Sequence, residues 1–508
     1  MDKRIRLESG RLNRPGGSNP SRSAMHQLQR RLTYPFVFLL ASSLVGFFVF
    51  TASARGSYGR SDDYTLVVDA ANKSGFLREA YFYSGRVFPS MLSDFVYARA
   101  TSVSHLVWLR LLGVMMLSVG AALIAYTSFV LTVRQVNKMR FLFSLIIGLV
   151  LFALPVSTNV ATWAILSLPL AGFPFAIYGG YLVATTQRAN MHWKMPVAFA
   201  FLLVSTFSYQ HFVMLALLPV TFAICTSWVE NRNYPFLKMV LTVLGCGASL
   251  LVNYVFLKIV ESESTSRTFS SSLTESTRWL LVEFAPRSIN LFLNDTMANR
   301  WISAGILLLA LSIPVFVSRR FMLVSGTVIL SWFISAVVVI PTENWASYRL
   351  LFPSQVILWC GVVFEWFLLA MHKGIRPRPM FIGLLSVVLV IGLAVSGSNA
   401  GRFFAQPNRI DWKSLNCELE SRNPDHPINA LVATDAIEAR SSIISYDEVG
   451  VIGSSVEWTL SNMYLLTPFA EARRVLDHPV PPVFPKWASV GQEGNWIGFP
   501  QNECGANP

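Results

Sequence analysis

The chain has 508 residues, 53% of them hydrophobic and 14% charged, where a soluble globular domain carries about 25% charged residues. That shortfall, a mean hydropathy of +0.48 and repeated apolar runs of about 20 residues exclude an ordinary soluble enzyme and describe a polytopic membrane protein. The formal charge of +13 implies no nucleic-acid partner, because Lys and Arg gather in short loops on one side of the apolar runs, as the positive-inside rule asks of cytoplasmic loops.

Residues 1–33 are basic and polar and contain Gly16-Gly17-Ser18-Asn19-Pro20-Ser21, the composition of a disordered cytoplasmic tail. The apolar segments that follow fall at about 35–53, 106–131, 141–157, 161–184, 196–209, 212–229, 239–257, 301–317, 321–340, 350–371 and 380–397. Eleven spans place the amino end inside, and every alternate connection is then short and basic: Arg134, Lys138 and Arg140; Arg188 and Lys194; Arg232 and Lys238; Arg319 and Arg320; Lys373, Arg376 and Arg378. Only Ser157-Thr158-Asn159 separates the third and fourth spans.

Two outer loops, 54–105 and 258–300, mix acids with bases and read as folded caps. In the first, Ser61 can cap a helix whose first turn holds Asp62 and Asp63, a placement the helix dipole favours. Leu66, Val67, Ala70 and Ala71 give that helix an apolar face, and Phe76, Leu77, Tyr81 and Phe82 mark a second amphipathic helix. Beyond residue 397 a tail of 398–508 is long enough for a small domain, with short strands at Leu431-Val432-Ala433-Thr434, Ser442-Ile443-Ile444-Ser445 and Val449-Gly450-Val451-Ile452 and a helix near 468–477. Of the five cysteines, Cys225, Cys246 and Cys360 lie in apolar spans, whereas Cys417 and Cys504 flank the tail and can form a disulfide if it is extracytoplasmic.

Four groups of residues could carry chemistry. Asp62 and Asp63 are either a capped helix start or, near the membrane surface, a general base or a ligand for a divalent cation or sugar hydroxyls. Arg86 follows Gly85 and either binds a phosphate bidentately or bonds to loop carbonyls. Ser208-Tyr209-Gln210-His211 interrupts the apolar run 196–228 and either lines a cavity or makes an outer turn. Glu343, Trp345 and Arg349 lie between the ninth and tenth spans, where Trp345 could stack on a sugar and Arg349 hold a lipid-linked phosphate; interfacial anchoring explains them equally well. No Walker loop, dinucleotide fingerprint, paired-Cys metal spacing or nucleophile elbow occurs, and no metal site or cofactor is read beyond that one cation alternative. Asn72-Lys73-Ser74 and Asn294-Asp295-Thr296 match the glycosylation sequon.

The order and sidedness of Asp62-Asp63, Gly85-Arg86, Ser208-Tyr209-Gln210 and Tyr348-Arg349-Leu350-Leu351 resemble the GT-C class of membrane glycosyltransferases, most of all the family that glucosylates bacterial O-antigen. The resemblance covers about 35–397 and implies an all-α polytopic fold, here with a small α+β extracytoplasmic C-terminal domain. It also implies transfer of a monosaccharide, glucose in that family, from a polyprenyl-phosphate donor to an envelope glycan or glycolipid outside the bacterial inner membrane. Asp62 or Asp63 would then deprotonate the acceptor hydroxyl, Arg86 and Arg349 would hold the donor phosphate, and Tyr209 and Gln210 would line the sugar pocket; His211, Glu343 and Trp345 stand beside these groups. Two rivals keep the same topology: a glycan polymerase or ligase with a lipid-diphosphate donor, and a lipid-linked sugar flippase or transporter.

Overall fold

The computed structural model describes residues 20–60, 62–132, 138–230, 236–260, 273–293, 296–336, 348–371, 378–426, 428, 430–433, 456–477, 480–481, 483–484 and 496–499. The fold is a helical bundle. Helix α1 spans Pro20–Ala54; α2 (Asp62–Asn72), α3 (Phe76–Tyr83) and α4 (Val87–Val96) form a short-helix layer; and α5 (Leu106–Leu131) returns along α1. Then come α6 (Lys138–Ala153), α7 (Pro155–Ala161), α8 (Gly172–Ala184), α9 (Met191–Ser208), α10 (Leu217–Glu230) and α11 (Phe236–Ile259). The second half has the short α12 (Leu273–Trp279) and α13 (Ala285–Ile289), then α14 (Met297–Val317), α15 (Arg320–Ala336), α16 (Tyr348–Met371), α17 (Arg378–Asn399) and α18 (Gln406–Glu420).

Among the described residues, seven helical stretches are long and apolar enough to cross a membrane: Thr33–Ala54, Val103–Leu131, Gln210–Glu230, Phe236–Ile259, Met297–Val317, Arg349–Met371 and Ile382–Glu420. Helices α6 and α7, bent by 66° at their junction, make an eighth if taken as one broken span, and Pro169–Ala184 and α15 are shorter apolar helices. Helix α9 covers the segment expected at 196–209. The bundle is thus an all-α polytopic membrane protein.

Helices α10 and α16 are enclosed, while α11, α14 and α17 turn Leu244, Leu308 and Val388 outward, as lipid-facing helices do. Close approach inside the bundle rests on small residues. A Cβ on Gly148 would overlap the Ala121 carbonyl oxygen, and one on Gly180 would overlap that of Ala216, so helices α5/α6 and the α8/210–216 pair meet backbone to backbone.

Three boundaries differ from those read in the sequence. Helix α1 begins at Pro20, inside the expected tail 1–33; proline suits a first helical turn and Met25–Leu32 offers good helix formers. Helix α17 does not stop at residue 397 but passes through a π-turn at Ala400–Ala405 into α18, since Pro407 stands in the first turn of α18 where a missing N–H costs nothing. The expected continuous spans 141–157 and 161–184 are interrupted. Pro155 starts α7 after a break at Leu154, Ser157-Thr158-Asn159 lies within α7 rather than separating two spans, and residues 162–171 run through 3-10 turns before α8 begins at Gly172.

In the tail, β1 (Ala430–Ala433) lies between β2 (Val483–Phe484) and β3 (Trp496–Phe499), all parallel, with Leu431 in register with Val483 and Ile497. The helices Val456–Leu465 and Pro468–Val475 follow β1, the second capped by Thr467 accepting from Ala470 N–H. The strands expected at 442–445 and 449–452 lie outside the described residues. This region docks on the short-helix layer: Asn462 donates to Thr65 Oγ1 of α2 at 3.2 Å, and Trp412 of α18 stacks on Tyr64 at 5.7 Å.

Candidate functional site at the broken helix

Non-helical backbone at membrane depth is tolerated only where protein satisfies its polar groups. In the 154–171 break, side chains from the 55–105 segment do this. Arg60, 1% exposed, donates from one guanidinium nitrogen to the Asn159 carbonyl (2.9 Å), the Asn159 side chain (3.1 Å) and Thr162 Oγ1 (2.9 Å), ending α7. Asp63, fully buried, accepts from the N–H groups of Ile165 (2.8 Å), Ala164 (3.3 Å) and Arg60 (3.1 Å), opening the next turn. Tyr81 and Tyr97 both donate to the Ile165 carbonyl, at 2.8 and 2.7 Å. From the other side Gln355 of α16 accepts from Val156 N–H (3.3 Å) and donates to the Asn290 carbonyl (2.7 Å).

Burial pushes Asp63 up to about 6, against the pull of Arg110, the Ile165 N–H and Arg60. Burial likewise raises the Tyr97 phenol to about 12, so it stays a neutral donor.

Around this clamp stand more guanidinium groups. Arg60 lies 4.7 Å from the Trp163 ring and 4.6 Å from Phe404, and Arg349 lies 5.3 Å from the same Trp163. Arg110, fully buried at the start of α5, covers Tyr58 at 3.9 Å and donates to the carbonyls of Ala54, Gly56 and Tyr58. Arg409 of α18 donates to the Ala52 carbonyl at 2.9 Å.

A second cluster adjoins the first through Tyr81, whose carbonyl accepts from Arg86 N–H at 2.9 Å. Gly85 takes φ +75°, which an L side chain rarely adopts, and turns the chain so that the Arg86 guanidinium lies 4.8 Å over Tyr209. Gln210 donates to the Ser84 carbonyl (2.8 Å) and Asn253 of α11 to the Gly85 carbonyl (2.7 Å). His211 is half-buried, its ring 5.6 Å from Tyr209.

The structure therefore brings Asp62, Asp63, Arg86, Tyr209, Gln210 and Arg349 to one end of the bundle, from positions up to 287 residues apart. Asp63 spends its lone pairs on backbone donors, whereas Asp62 is only partly buried. Glu343, Trp345 and Ser61 lie outside the described residues. Cys417 is disulfide-bonded; Cys504, its expected partner, lies outside the described residues. No group of three or more His, Cys, Asp and Glu that could hold a metal stands together among the described residues. Arg60, Trp163, Asn253 and Gln355 carry no functional signal in the sequence that names their partners, and Arg110 shows there only as a charge near the outer end of a span. Compared with known proteins, the chain matches no family model and no curated protein.

What the arrangement can do follows from its charges. Two half-buried guanidinium groups, Arg86 and Arg349, are of the kind that binds a tetrahedral oxyanion such as a phosphate. A carboxylate, Asp62, stands in the first turn of α2 and can accept a proton.

Proposed function

We propose that the protein is an inner-membrane glycosyltransferase of the GT-C kind, moving a monosaccharide, glucose as the first candidate, from a polyprenyl-phosphate donor to an envelope glycan or glycolipid on the outer face. The observation that carries this reading is that the buried break at 154–171 holds Asp63, next to Asp62, through the Ile165 N–H, Tyr81, whose carbonyl the Arg86 N–H meets, through the Ile165 carbonyl, and Arg349 through the Trp163 ring. Arg86 and Arg349 hold the phosphate and neutralise the charge that grows on it as the glycosyl bond breaks. Asp62 takes the proton of the attacking acceptor hydroxyl. Tyr209, with Gln210 and His211 beside it, lines the sugar pocket. Asp63 is the positioning carboxylate that orders the break beneath them.

Sidedness is argued from two independent features. The basic connections of an eleven-span reading all fall on the opposite side of the membrane. The disulfide at Cys417 sits in α18, whose Trp412 stacks on Tyr64 at the site end, and structural disulfides persist in oxidising compartments. Both support a reading in which the site and the C-terminal region 398–508 lie outside.

The test is donor dependence. With purified protein and labelled polyprenyl-phosphate glucose, Arg86→Ala and Arg349→Ala should raise the donor KM and lower kcat, and Arg→Lys should restore only part because a point charge lacks the guanidinium fork. Unchanged kinetics in both Ala variants would remove the phosphate-holding role.

A lipid-linked sugar transporter is the second reading, favoured by Glu365, fully buried in α16 with Ser325 Oγ donating to it at 2.6 Å. Under that reading Glu365→Gln stops translocation while Asp62→Asn leaves glycan structure unchanged.

A further inference from the structure

At the end of the bundle away from the candidate site, helix α8 stops at Ala184 and its last carbonyls are closed one after another. Thr186 donates from its hydroxyl to the Leu182 carbonyl (2.7 Å) and from its N–H to that of Val183 (3.1 Å). The next two carbonyls are met by lysines from other helices. Lys238 of α11 donates to the Ala184 carbonyl at 2.6 Å, and Lys194 of α9 donates to the Thr185 carbonyl and hydroxyl, both at 3.1 Å. Counting along α11 at 1.5 Å rise per residue, Lys238 stands about 22 Å from Asn253, whose side chain meets the Gly85 carbonyl at the site end.

Helix capping accounts for only part of this charge. A helix C-terminus carries about half a negative charge, so two ammonium groups on neighbouring carbonyls leave about one and a half positive charges unbalanced. Among the described residues no Asp or Glu pairs with either lysine. Both side chains are half-buried, where water and salt screen them less than they screen a surface lysine. The flanks are apolar and face outward: the Trp193 ring lies 5.7 Å from the Lys194 ammonium, and Val197 of α9 and Phe236, Leu237 and Val240 of α11 are exposed. Cationic heads therefore stand beside an apolar, outward-facing surface on two adjacent helices.

We propose that Lys194 and Lys238 form a binding site for the phosphate of an anionic phospholipid, whose acyl chains lie against the exposed apolar side chains of α9 and α11. A phosphate diester bridging the two ammonium groups supplies the missing negative charge. Each lysine keeps its carbonyl, because an ammonium has three N–H donors, of which Lys238 spends one and Lys194 two. An anionic lipid is preferred over a zwitterionic one because a choline head would bring a further positive charge to a place already in excess. Basic pockets between membrane helices on the cytoplasmic side are a general means of holding such head groups. The same two helices are joined higher up by Thr206 and Ser249, hydroxyl to hydroxyl at 2.9 Å, and lead to Gln210 and Asn253 at the site end. The lipid thus closes the far end of the helix pair that supports the candidate site. Its assignment to the inner leaflet rests on the sidedness argued above; the site itself does not.

Purified, delipidated full-length protein in detergent is titrated with phosphatidylglycerol and with phosphatidylcholine of the same chains. Bound lipid is counted by native mass spectrometry, and melting midpoints are read beside it. Wild type should bind its first phosphatidylglycerol about tenfold more tightly than phosphatidylcholine and melt higher in its presence. Lys194→Gln and Lys238→Gln should each lose about tenfold for phosphatidylglycerol, the worth of one charge-assisted hydrogen bond, and change little for phosphatidylcholine. Lys194→Arg and Lys238→Arg should keep most of the affinity, which separates lost charge from a damaged fold. Lys258→Gln, at the opposite end of α11, should bind as wild type does. Equal affinity of wild type for the two lipids, Gln variants that keep the wild-type preference, or an equal loss in Lys258→Gln would overturn the site. Displacement of the lipid by millimolar inorganic phosphate would overturn it too, as the mark of a soluble ligand. No readout involves sugar transfer, so failure here and failure of the glycosyltransferase reading are distinguishable.

Discussion

Replacing Arg60 with alanine asks whether the broken helix is held from the 55–105 segment. The guanidinium makes three hydrogen bonds, to the Asn159 carbonyl, Asn159 Oδ1 and Thr162 Oγ1, and packs between the Trp163 and Phe404 rings. Truncating one member of a buried charged network costs about 3–5 kcal/mol, because acceptors are left without donors in a medium that offers no water. One kcal/mol moves a midpoint by about 2–4 °C in a chain of 150–250 residues, so in a chain twice that length the loss should be about 3–10 °C. Fluorescence-monitored melting in detergent reads this directly, with Asp62→Asn as the neighbour that should shift the midpoint little. Arg60→Lys should fall between, since one ammonium cannot reproduce a flat group wedged between two rings. An Arg60→Ala protein that melts with wild type would refute the idea that this side chain orders the 154–171 break.

Other consequences are as definite. Asp63 ionises near 6 in the folded protein and near 3.8 unfolded, so folding takes up a proton between those values and stability falls as pH rises through that window, by about 3 kcal/mol in all; melting midpoints from pH 4 to 7 should decline in wild type and flatten in Asp63→Asn. Gly85→Ala puts a methyl group 2.9–3.0 Å from the Asn253 and Gln210 side-chain amides at a φ alanine resists, and should raise the donor KM through a displaced Arg86, measured as KM against kcat. Cys417 should resist alkylation in intact membranes until a reductant is added, and Cys417→Ser should lower stability by about 2–4 kcal/mol, read in the same melting assay; a freely alkylated Cys417 would argue against an outer tail.

Seven of the eleven expected spans were legible among the described residues because the bilayer demands apolar length, and α2 because two aspartates at a helix start are locally favourable. The break at 154–171 was not, since its residues are as apolar as a span and hydropathy cannot see which carbonyls lack partners. Pro155 and Pro169 were the visible signal. Arg60 stood inside the very stretch that drew attention, yet its role depends on Asn159 and Thr162, about a hundred residues away, and periodicity carries no such information. The same distance hid the reason for Gln210: an amide in an apolar run is readable as costly, but its partner, the Ser84 carbonyl, is known only once the chain has folded. Asp63 shows the opposite error of scale, for two adjacent carboxylates look alike in sequence while burial gives one to the backbone and leaves the other partly exposed.

Sugar transfer by Asp62→Asn is the most direct test of the whole account. Membranes carrying wild type or variant at matched expression are given radiolabelled polyprenyl-phosphate glucose and an envelope acceptor, and label in the glycan is counted. Wild type should transfer, and Asp62→Asn should lose about 10²–10⁴-fold, the usual worth of a general base. Transfer that survives the substitution unchanged, or wild-type membranes that match empty ones across a panel of polyprenyl-phosphate sugars, would contradict it.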